Sequence, residues 1–570
     1  MSAADRYSRQ RGLVVQDLIA DARLSVYGTG KALPYLLQCL AALGFAARHG
    51  RLRLCLADRE VLPADVAHQF LLRPEDVGGR LGAALVHRLS AVDPAIAVDV
   101  DPLPLDGMRI ATPTAAEVAA IARQGDVAVW GQVLPLSIHI GPSPVEVPDD
   151  GPNVLTAALA AISGGLTAQA VLGLLGALVR GPAVLSSWVE ERLWVSYPGI
   201  GRRATLANTD APALRGLLDP DDDGFEIIVH GRAADARVTA IVDGDTVVAS
   251  VPLGPEAVVA GPGRAAVRPV HREPIAAPTI DWSPLATGDV VLPERLPQIR
   301  LVMCGAGALG SWASATLAAT PADGTVELCV VDMDDTIEAH NLNRQILFDL
   351  EDVGLPKARL AAQRLTGINP MVGTRALQMV IAPQHRDALI GEMADQDYIS
   401  DPDIAAQRMR LKELRERLRE ADAVLSCPDN QQTRWVLNVV TESLGIPLVN
   451  GAVDGFVGRV HVCDPRDDGR CLICWLGASI ARQPERRSCT DILGTAPVPA
   501  IVTSAAVVGG IQTAALIALL TGHAKKVGRF HALDAARGEL TGYRAADRDP
   551  VECPTHLLDA EEMMARASHA

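Results

Sequence analysis

Aromatic side chains are scarce in this sequence, at 3% of 570 residues, and basic residues are outnumbered. There are 52 Lys and Arg against 68 Asp and Glu, which gives a formal net charge of −16. Single-stranded nucleic acid is bound on aromatic platforms in basic grooves, so the composition argues against a nucleic acid partner. It does not argue against a nucleotide, which needs only one local site at a helix N-terminus.

Cysteine is also sparse, with ten residues in no even framework. The start of the sequence, MSAADRYSRQ, is charged and has no apolar core, so we expect no secretory signal. We therefore expect a reducing cytoplasmic location, where paired cysteines indicate metal binding or catalysis before disulfides.

Two long runs lack charged residues, one at 151–179 and one at 492–524. Both are long enough to cross a bilayer, but Gly, Ser, Thr and Gln interrupt them. We predict two buried helices of a large fold and expect no membrane partner.

The sequence repeats itself. LSVYGTGKAL (24–33) and IRLVMCGAGALG (299–310) each indicate a buried strand followed by a glycine turn. HQFLLRPEDVG (68–78) likewise matches RQILFDLEDVG (344–354), and the spacing between matched segments stays constant to within one residue. The uncharged runs close the two repeats. Strand, glycine turn, helix and strand is the order typical of a doubly wound parallel sheet.

We therefore predict an α/β fold with two doubly wound, Rossmann-like domains in one chain, at 1–182 and 291–570. The pair would form a pseudo-dimer. Residues 183–290 contain β-type runs such as FEIIVHG between Pro and Gly, which predicts a β-rich connector. The second domain has an insertion at 384–421, and its charged, periodic middle predicts an exposed helix.

The glycine pattern of the second repeat predicts a phosphate-binding turn, formed by Gly305, Gly307 and Gly310 after an apolar run. By itself the pattern is most typical of a dinucleotide dehydrogenase, with Asp332 as the ribose-binding acid, and a tight structural turn is the alternative. Further polar residues follow it: Asn341, Arg344, Gln345, Lys357, Asp429 and Asn430. Arg and Lys can hold phosphates, and a carboxylate such as Asp429 can hold Mg²⁺. Hydride transfer needs no triphosphate clamp, so this set favours adenylation, in which a carboxylate attacks the α-phosphate and pyrophosphate leaves.

Four motifs carry a family resemblance: GAGALG (305–310), DMDDTIEAHNLNRQ (332–345), VGLPKA (353–358) and CPDN (427–430). In this order and spacing they resemble the ubiquitin-activating superfamily, which includes the ThiF/MoeB-type adenylyltransferases of thiamine and molybdopterin biosynthesis. The resemblance implies an ATP site in which Asp332 binds the ribose and Arg344 and Lys357 bind phosphates. It further implies that Asn341 supports the nucleotide, together with Gln345 and Asn430, and that Asp429 places magnesium.

The first repeat departs from this pattern. Leu33 replaces the third glycine, His68 stands where Arg344 does, and Leu81 stands where Lys357 does. We therefore predict that the first half does not adenylate. Its RYSRQ segment persists, and the resemblance implies that Arg9 reaches into the ATP site of the other half. The alternative is that Arg9 is only a solvated residue.

Two cysteine patterns predict a structural zinc site. Cys471 and Cys474 form C-x-x-C, and Cys553 and His556 form C-x-x-H, which together supply four tetrahedral ligands. Members of the superfamily often carry two C-x-x-C pairs, so His556 is a departure. Two unrelated reduced pairs are the alternative.

Cys489 lies among Arg482, Arg486 and Arg487, and positive charge favours the thiolate. The resemblance implies that a crossover loop, at about 464–500, passes over the active site and carries a thioester-forming cysteine. Cys489 is therefore the candidate nucleophile, and a surface thiol is the alternative.

Together these features predict a bacterial, ATP-dependent activating enzyme for a ubiquitin-like protein with a C-terminal glycine. Cys489 would take the acyl group as a thioester and pass it to a conjugating enzyme. The rival is an adenylyltransferase for a sulfur carrier or a peptide natural product, which needs no thioester. A non-catalytic scaffold and a dehydrogenase are weaker alternatives. We expect a monomer, because the pseudo-dimer fills the surface used by homodimeric relatives.

Overall fold

The computed structural model describes residues 6–10, 13–57, 59–148, 151–178, 274–284, 291–333, 336–391, 402–466, 471–476, 500–523, 530–535 and 537–543. Between 185 and 260 it describes backbone strands only. The strands of these residues are β1 (Arg23–Tyr27), β2 (Arg51–Cys55), β3 (Val98–Val100), β4 (Met108–Ala111), β5 (Val129–Val133), β6 (Ile138–Gly141), β7 (Leu185–Val189), β8 (Arg192–Ser196), β9 (Arg203–Thr205), β10 (Glu226–His230), β11 (Ala236–Val242), β12 (Thr246–Val247), β13 (Pro252–Leu253), β14 (Val258–Ala260), β15 (Ile280–Trp282), β16 (Ile299–Cys304), β17 (Val326–Asp332), β18 (Val372–Gln378), β19 (Ala423–Ser426), β20 (Leu448–Asp454), β21 (Val457–Cys463), β22 (Phe530–Asp534) and β23 (Glu539–Tyr543).

The α-helices of the same residues are α1 (Gln16–Ala20), α2 (Leu33–Leu43), α3 (Pro63–Val66), α4 (Leu81–Val92), α5 (Val118–Ala122), α6 (Thr156–Leu174), α7 (Ala308–Ala318), α8 (Lys357–Ile368), α9 (Arg386–Ile390), α10 (Pro402–Glu420), α11 (Gln431–Leu444), α12 (Leu472–Leu476) and α13 (Val502–Leu520).

The two halves contain sheets of the same strand order. The first sheet runs β3-β2-β1-β4-β5-β6-β15, and the second runs β18-β17-β16-β19-β20-β21-β22-β23. In both, the first five strands of this order are parallel and those beyond are antiparallel. Helices return the chain between parallel strands, and the central strand β19 is buried at every position. The predicted fold class, two doubly wound α/β domains, is confirmed.

The first sheet takes its last strand from the segment 183–290. Strand β15 pairs antiparallel with β6, so a boundary at 182 leaves one strand of the first sheet inside the connector. The backbone strands between 185 and 260 form two small antiparallel sheets, β7-β8-β9 and β12-β11-β10-β14, with β13 paired to β11. The connector is therefore rich in β-structure.

Helices α6 and α13 lie at the centre of the molecule and pack against each other. By length and composition each could cross a bilayer, yet 94% and 100% of their apolar windows are buried inside the fold. Their contact is close because glycine faces the partner helix: a Cβ at Gly165 would lie 2.9 Å from Val507, and one at Gly510 would lie 2.7 Å from Ile162. The two uncharged runs thus form buried helices, as predicted.

The insertion differs from the prediction. Helix α10 is not simply exposed, because Leu414 and Leu418 are fully buried. They lie four residues apart on one face and join a core cluster that includes Val302 and Val424 of the central strands. The charged residues occupy the remaining faces, so the charge pattern concealed an apolar stripe that covers the sheet.

Candidate active site

The glycine turn lies between β16 and α7, at the carboxyl end of the central strand. Gly305 has φ +97°, and a Cβ there would lie 2.5 Å from the carbonyl oxygen of Cys427. A Cβ at Gly310 would lie 1.9 Å from the carbonyl oxygen of Gly305. At Gly307 the nearest atom to a Cβ is Gln345 Nε2, 4.0 Å away, so the turn is open on this side. The turn is therefore closed by the protein beneath and accessible to a ligand above.

Asp332 ends β17 beside this turn. Its carboxylate accepts a hydrogen bond from the backbone N–H of Ala306. The acid predicted to bind a ribose is thus held directly against the glycine turn, as parallel strands that end at one edge require.

Asn341 and Gln345 are buried near the turn, at 3% and 4% exposure. Asn341 ends a short 3₁₀ helix, Ala339–Asn341. Its Nδ2 atom and the Oε1 atom of Gln345 are buried and have no hydrogen-bond partner among the described residues. A buried polar atom without a partner is costly, and such atoms mark places for a ligand or water. The two side chains therefore fit a polar ligand such as a nucleotide.

Two cations of the second half, Arg344 and Lys357, lie near His340. The Arg344 guanidinium donates to the carbonyl oxygen of His340 and, at 2.9 Å, to Asn343 Oδ1. Lys357 begins α8 and is 7% exposed. That they bind phosphates stays a prediction.

Arg9 belongs to the first half but lies in the site of the second. Its Nη2 atom is 3.3 Å from His340 Nε2, although 331 residues separate the two in sequence. Its carbonyl oxygen accepts a hydrogen bond of 2.8 Å from the N–H of Ala500, and the residue is only 6% exposed. The alternative of a solvated Arg9 therefore does not describe this structure.

The pKa of His340 reflects the positive charge of the site. Burial, followed by the nearby charges of Arg9, Arg344 and Lys357, lowers its pKa to about 3. The Glu338 carboxylate lies 3.1 Å from His340 Nε2. Three cations from two halves thus converge on one neutral imidazole, and such a group of cations suits a polyphosphate.

Asp429 and Asn430 follow β19 at the same edge of the sheet. Asp429 is exposed, so its carboxylate can take a cation such as Mg²⁺. Asn430 caps α11, and its Oδ1 atom accepts a hydrogen bond of 2.8 Å from the N–H of Thr433. The structure therefore gives Asn430 a structural task beside the predicted nucleotide contact.

Two residues of this region carry no role in the sequence prediction, His340 and Arg434. Arg434 donates to Asn450 Oδ1 at 2.6 Å and to the carbonyl oxygens of Gly451 and Pro428, and burial lowers its pKa to about 10. Asp429 opposes this shift of the Arg434 pKa, so the two charges are close. Arg434 thus links β20 to the segment that follows β19, close to Asp429. The signal available in the sequence was an Arg directly before an apolar run of α11, Trp435-Val436-Leu437.

The predicted zinc site is described in part. Cys471 Sγ and Cys474 Sγ are 3.7 Å apart. Two thiolates at about 2.3 Å from one tetrahedral Zn²⁺ lie about 3.8 Å apart, so this pair fits one metal ion. Cys553 and His556 lie outside the described residues, and within the described part no three such ligands are grouped.

Cys489 also lies outside the described residues. Of the loop at about 464–500, the structure describes 464–466, 471–476 and 500.

The glycine turn of the first half differs from that of the second in how closely the protein packs against it. The Glu117 carboxylate accepts hydrogen bonds of 2.9 Å from both the N–H and the hydroxyl of Thr29, and one of 2.8 Å from the N–H of Thr114. Thr29 stands in this turn where Ala306 stands in the second. The N–H of Ala306 in the second half likewise bonds a carboxylate, that of Asp332, so this bond does not distinguish the two turns. Gly30 stands where Gly307 does, and a Cβ there would lie 2.4 Å from the carbonyl oxygen of Pro113, so this turn is closed on the side that is open in the second half.

A doubly wound α/β domain with an open glycine turn and converging cations defines a nucleotide-binding protein. Residues 287–555 match the ThiF family. The sulfur carrier protein ThiS adenylyltransferase of Escherichia coli is 30% identical over 262 residues, which span 46% of this chain and 87% of that relative. The chain belongs to the ThiF family.

Two other similarities cover less of the known protein. The SAMP-activating enzyme E1 of Haloferax volcanii is 35% identical over 189 residues, 33% of this chain and 57% of that relative. A crystal structure of E. coli MccB with ATP matches 45% of this chain and 66% of its own, at 18% identity and a TM-score of 0.31.

Proposed function

We propose that the second half is an ATP-dependent adenylyltransferase for the C-terminal carboxylate of a small carrier protein with a C-terminal glycine. The convergence of Arg9, Arg344 and Lys357 on His340, beside an open glycine turn, supports this most directly. Membership of the ThiF family supports it further, since similar proteins are an adenylyltransferase of a sulfur carrier and a SAMP-activating enzyme.

The chemistry assigns each group a task. A carboxylate oxygen of the carrier attacks the α-phosphorus of ATP, the bond to the β-phosphate oxygen breaks, and pyrophosphate leaves. Arg344 and Lys357 bind the phosphates, and Arg9 offsets the charge that develops on the leaving group. Asp332 receives the ribose. Asp429 would hold Mg²⁺, which neutralises phosphate charge when bound.

We further propose that Cys489 takes the acyl group as a thioester, with AMP as the leaving group, and passes it to a conjugating enzyme. One inactive and one active half in a single chain favour this route. The second candidate is activation of a sulfur carrier without an obligatory thioester, and the similarity to the ThiS adenylyltransferase favours it.

One experiment separates the two candidates. ATP–pyrophosphate exchange is measured with a panel of carriers that end in glycine, for the wild type and Cys489→Ala, and the mixtures are run on non-reducing gels. Exchange in both, with a thiol-sensitive adduct in the wild type alone, supports the thioester route. Exchange without an adduct in either supports the sulfur-carrier candidate. If MgATP does not bind, adenylation itself is excluded.

We also propose that Cys471, Cys474, Cys553 and His556 bind a structural Zn²⁺. The sulfur–sulfur distance of 3.7 Å supports the first pair. Metal analysis of the purified protein should give about one zinc per chain for four ligands. The Cys471→Ser variant should lose it, and retention of zinc by that variant would exclude the site.

A further inference from the structure

A cleft of about 460 Å³ lies between the two halves, and none of the predicted nucleotide ligands is among the described residues that line it. Matching segments of the two repeats form its walls. Phe70 of the first half and Ile346 of the second stand at equivalent positions, 276 residues apart. Arg88 and Arg364 are separated by the same number of residues. The two halves therefore present equivalent segments to the cleft.

The two equivalent arginines are paired with acids of their own halves. Arg88 Nη2 is 2.7 Å from Glu75 Oε1. Arg364 Nη2 is 3.1 Å from Asp349 Oδ2. A second carboxylate of the same half lies 2.9 Å from each guanidinium. The charges of these two arginines are therefore offset by the protein itself.

Arg73 breaks the symmetry, because Asp349 stands at the equivalent position of the second repeat. Its Nη1 atom is buried and has no hydrogen-bond partner among the described residues, and the ion pairs of Arg88 and Arg364 do not include it. The Nε atom of Arg364 is likewise buried without a partner there. An unsatisfied donor on a buried guanidinium costs free energy, and such donors mark a place for an acceptor that the protein does not supply.

Much of the remaining cleft surface is apolar. Phe70 and Leu71 are each 5% exposed, and they line the cleft together with the amide of Gln38, which is 4% exposed. Ile346 adds apolar surface from the second half. A ligand that fits this cleft therefore needs an apolar body as well as an acceptor oxygen.

These features favour a monocarboxylate over a phosphate. A planar guanidinium matches the two oxygens of a carboxylate in bidentate geometry. Phosphate carries more negative charge, and the carboxylates of Glu75 and Asp349, which line the same cleft, repel it. Phosphate also leaves the apolar side chains in contact with water, whereas an apolar body covers them.

We propose that the cleft between the two halves binds a small carboxylic acid with an apolar body, whose carboxylate pairs with the Arg73 guanidinium. The apolar body lies against Phe70, Leu71 and Ile346. This site is separate from the nucleotide site, so the inference does not rest on the proposed adenylation.

The probe is phenylpropanoate, and isothermal titration calorimetry on the full chain measures its binding. Phenylpropanamide, a neutral compound of the same shape, and inorganic phosphate are titrated beside it. The wild type should bind phenylpropanoate and should bind both comparison compounds about tenfold more weakly or worse, the effect of losing one charge-assisted hydrogen bond or the apolar contact.

Three variants locate the site. Arg73→Met should weaken phenylpropanoate binding by about tenfold or more, and it should not lower the thermal midpoint, because it removes a charge that no acid of the cleft pairs with. Gly367→Leu narrows the cleft from the second half, where a Cβ meets no atom within 4 Å, and should weaken binding without removing a polar group. Arg123→Met, at an exposed arginine outside the cleft, should bind as the wild type does.

Several results would overturn the proposal. A wild-type Kd for phenylpropanoate above about 1 mM would show that the cleft is not a site for such acids. Phosphate or the amide bound as tightly as phenylpropanoate would exclude the proposed ligand class. Wild-type affinity in Arg73→Met or in Gly367→Leu would place the ligand outside the cleft. None of these results bears on the proposed adenylation.

Discussion

Arg9 is a single side chain through which the first half contributes to the site of the second. If it offsets charge on leaving pyrophosphate, Arg9→Ala should slow ATP–pyrophosphate exchange by about 10²-fold, the usual effect of losing one transition-state donor. The thermal midpoint of the variant is measured beside the exchange rate, so that a loss of folding is not taken for a loss of catalysis. Arg123→Ala, at an exposed arginine of the first half, is the matched control. Unchanged exchange in the Arg9 variant would rule out this role.

His68 couples the stability of the first half to pH. It is 4% exposed, and burial lowers its pKa to about 4, with Lys31 and Arg295 acting in the same direction. The unfolded histidine, with a pKa near 6.5, binds a proton that the folded one does not. Stability due to this residue is therefore complete above about pH 6.5 and falls by up to about 1.4 kcal/mol per unit as the pH drops to about 4.

Urea unfolding at pH 7 and pH 5 measures this effect. The loss of unfolding free energy between the two pH values should be smaller in His68→Gln than in the wild type. An equal loss in both proteins would show that other groups carry the pH dependence.

At the scale of elements, the packing of α6 on α13 limits the size of side chains between them. A Cβ at Gly165 would lie 3.0 Å from both Ala506 Cβ and the carbonyl oxygen of Thr503, and backbone cannot yield easily. Gly165→Ala should therefore lower the free energy of unfolding by about 1–3 kcal/mol through overpacking.

Gly367 supplies the matched control, because it is also helical but has no atom within 4 Å of its Cβ position. Gly367→Ala should raise stability by about 0.5–1 kcal/mol, since alanine favours a helix over glycine. Chemical denaturation of both variants checks the pair, and stabilisation by Gly165→Ala would contradict the described packing.

These elements also show what the sequence could predict. The lack of charge in two runs was enough to predict buried helices, because charge is excluded from a core that has no partner for it. The face that each helix presents to the other was not predictable, since nearly every position is buried and no polar side marks the outside. In α10 the reverse occurred, and abundant charge hid the buried Leu414 and Leu418.

At the scale of the whole molecule, local motifs in the sequence predicted the glycine turn and its neighbours, and the family resemblance predicted the reach of Arg9 into the other half. Other contacts between distant segments were missed. The glycine turn and Asp332 belong to one strand–helix–strand unit, so their juxtaposition follows from topology. His340 contacts Arg9 only because the fold brings that residue of the other half to the site. Glu117 accepts a hydrogen bond from Thr29, 88 residues away, and no spacing rule in the sequence connects these two residues.

The asymmetry of the two halves leads to a prediction about stoichiometry. The turn of the second half is open at Gly307, whereas the matching Gly30 is closed against the carbonyl oxygen of Pro113. His68 and Leu81 also stand where the second half has Arg344 and Lys357. The chain should therefore bind about one MgATP, not one per α/β domain. Calorimetric titration of the full chain measures this number directly.

Two variants show which half binds the nucleotide. Lys357→Met should weaken binding by roughly tenfold or more, because it removes a phosphate-binding charge from the second half. Glu117→Ala frees the N–H of Thr29 but restores neither missing cation, so the stoichiometry should remain about one. Two sites in the wild type would show that the first half has kept nucleotide binding. An affinity that Lys357→Met leaves unchanged would show that the nucleotide does not bind at Lys357 of the second half.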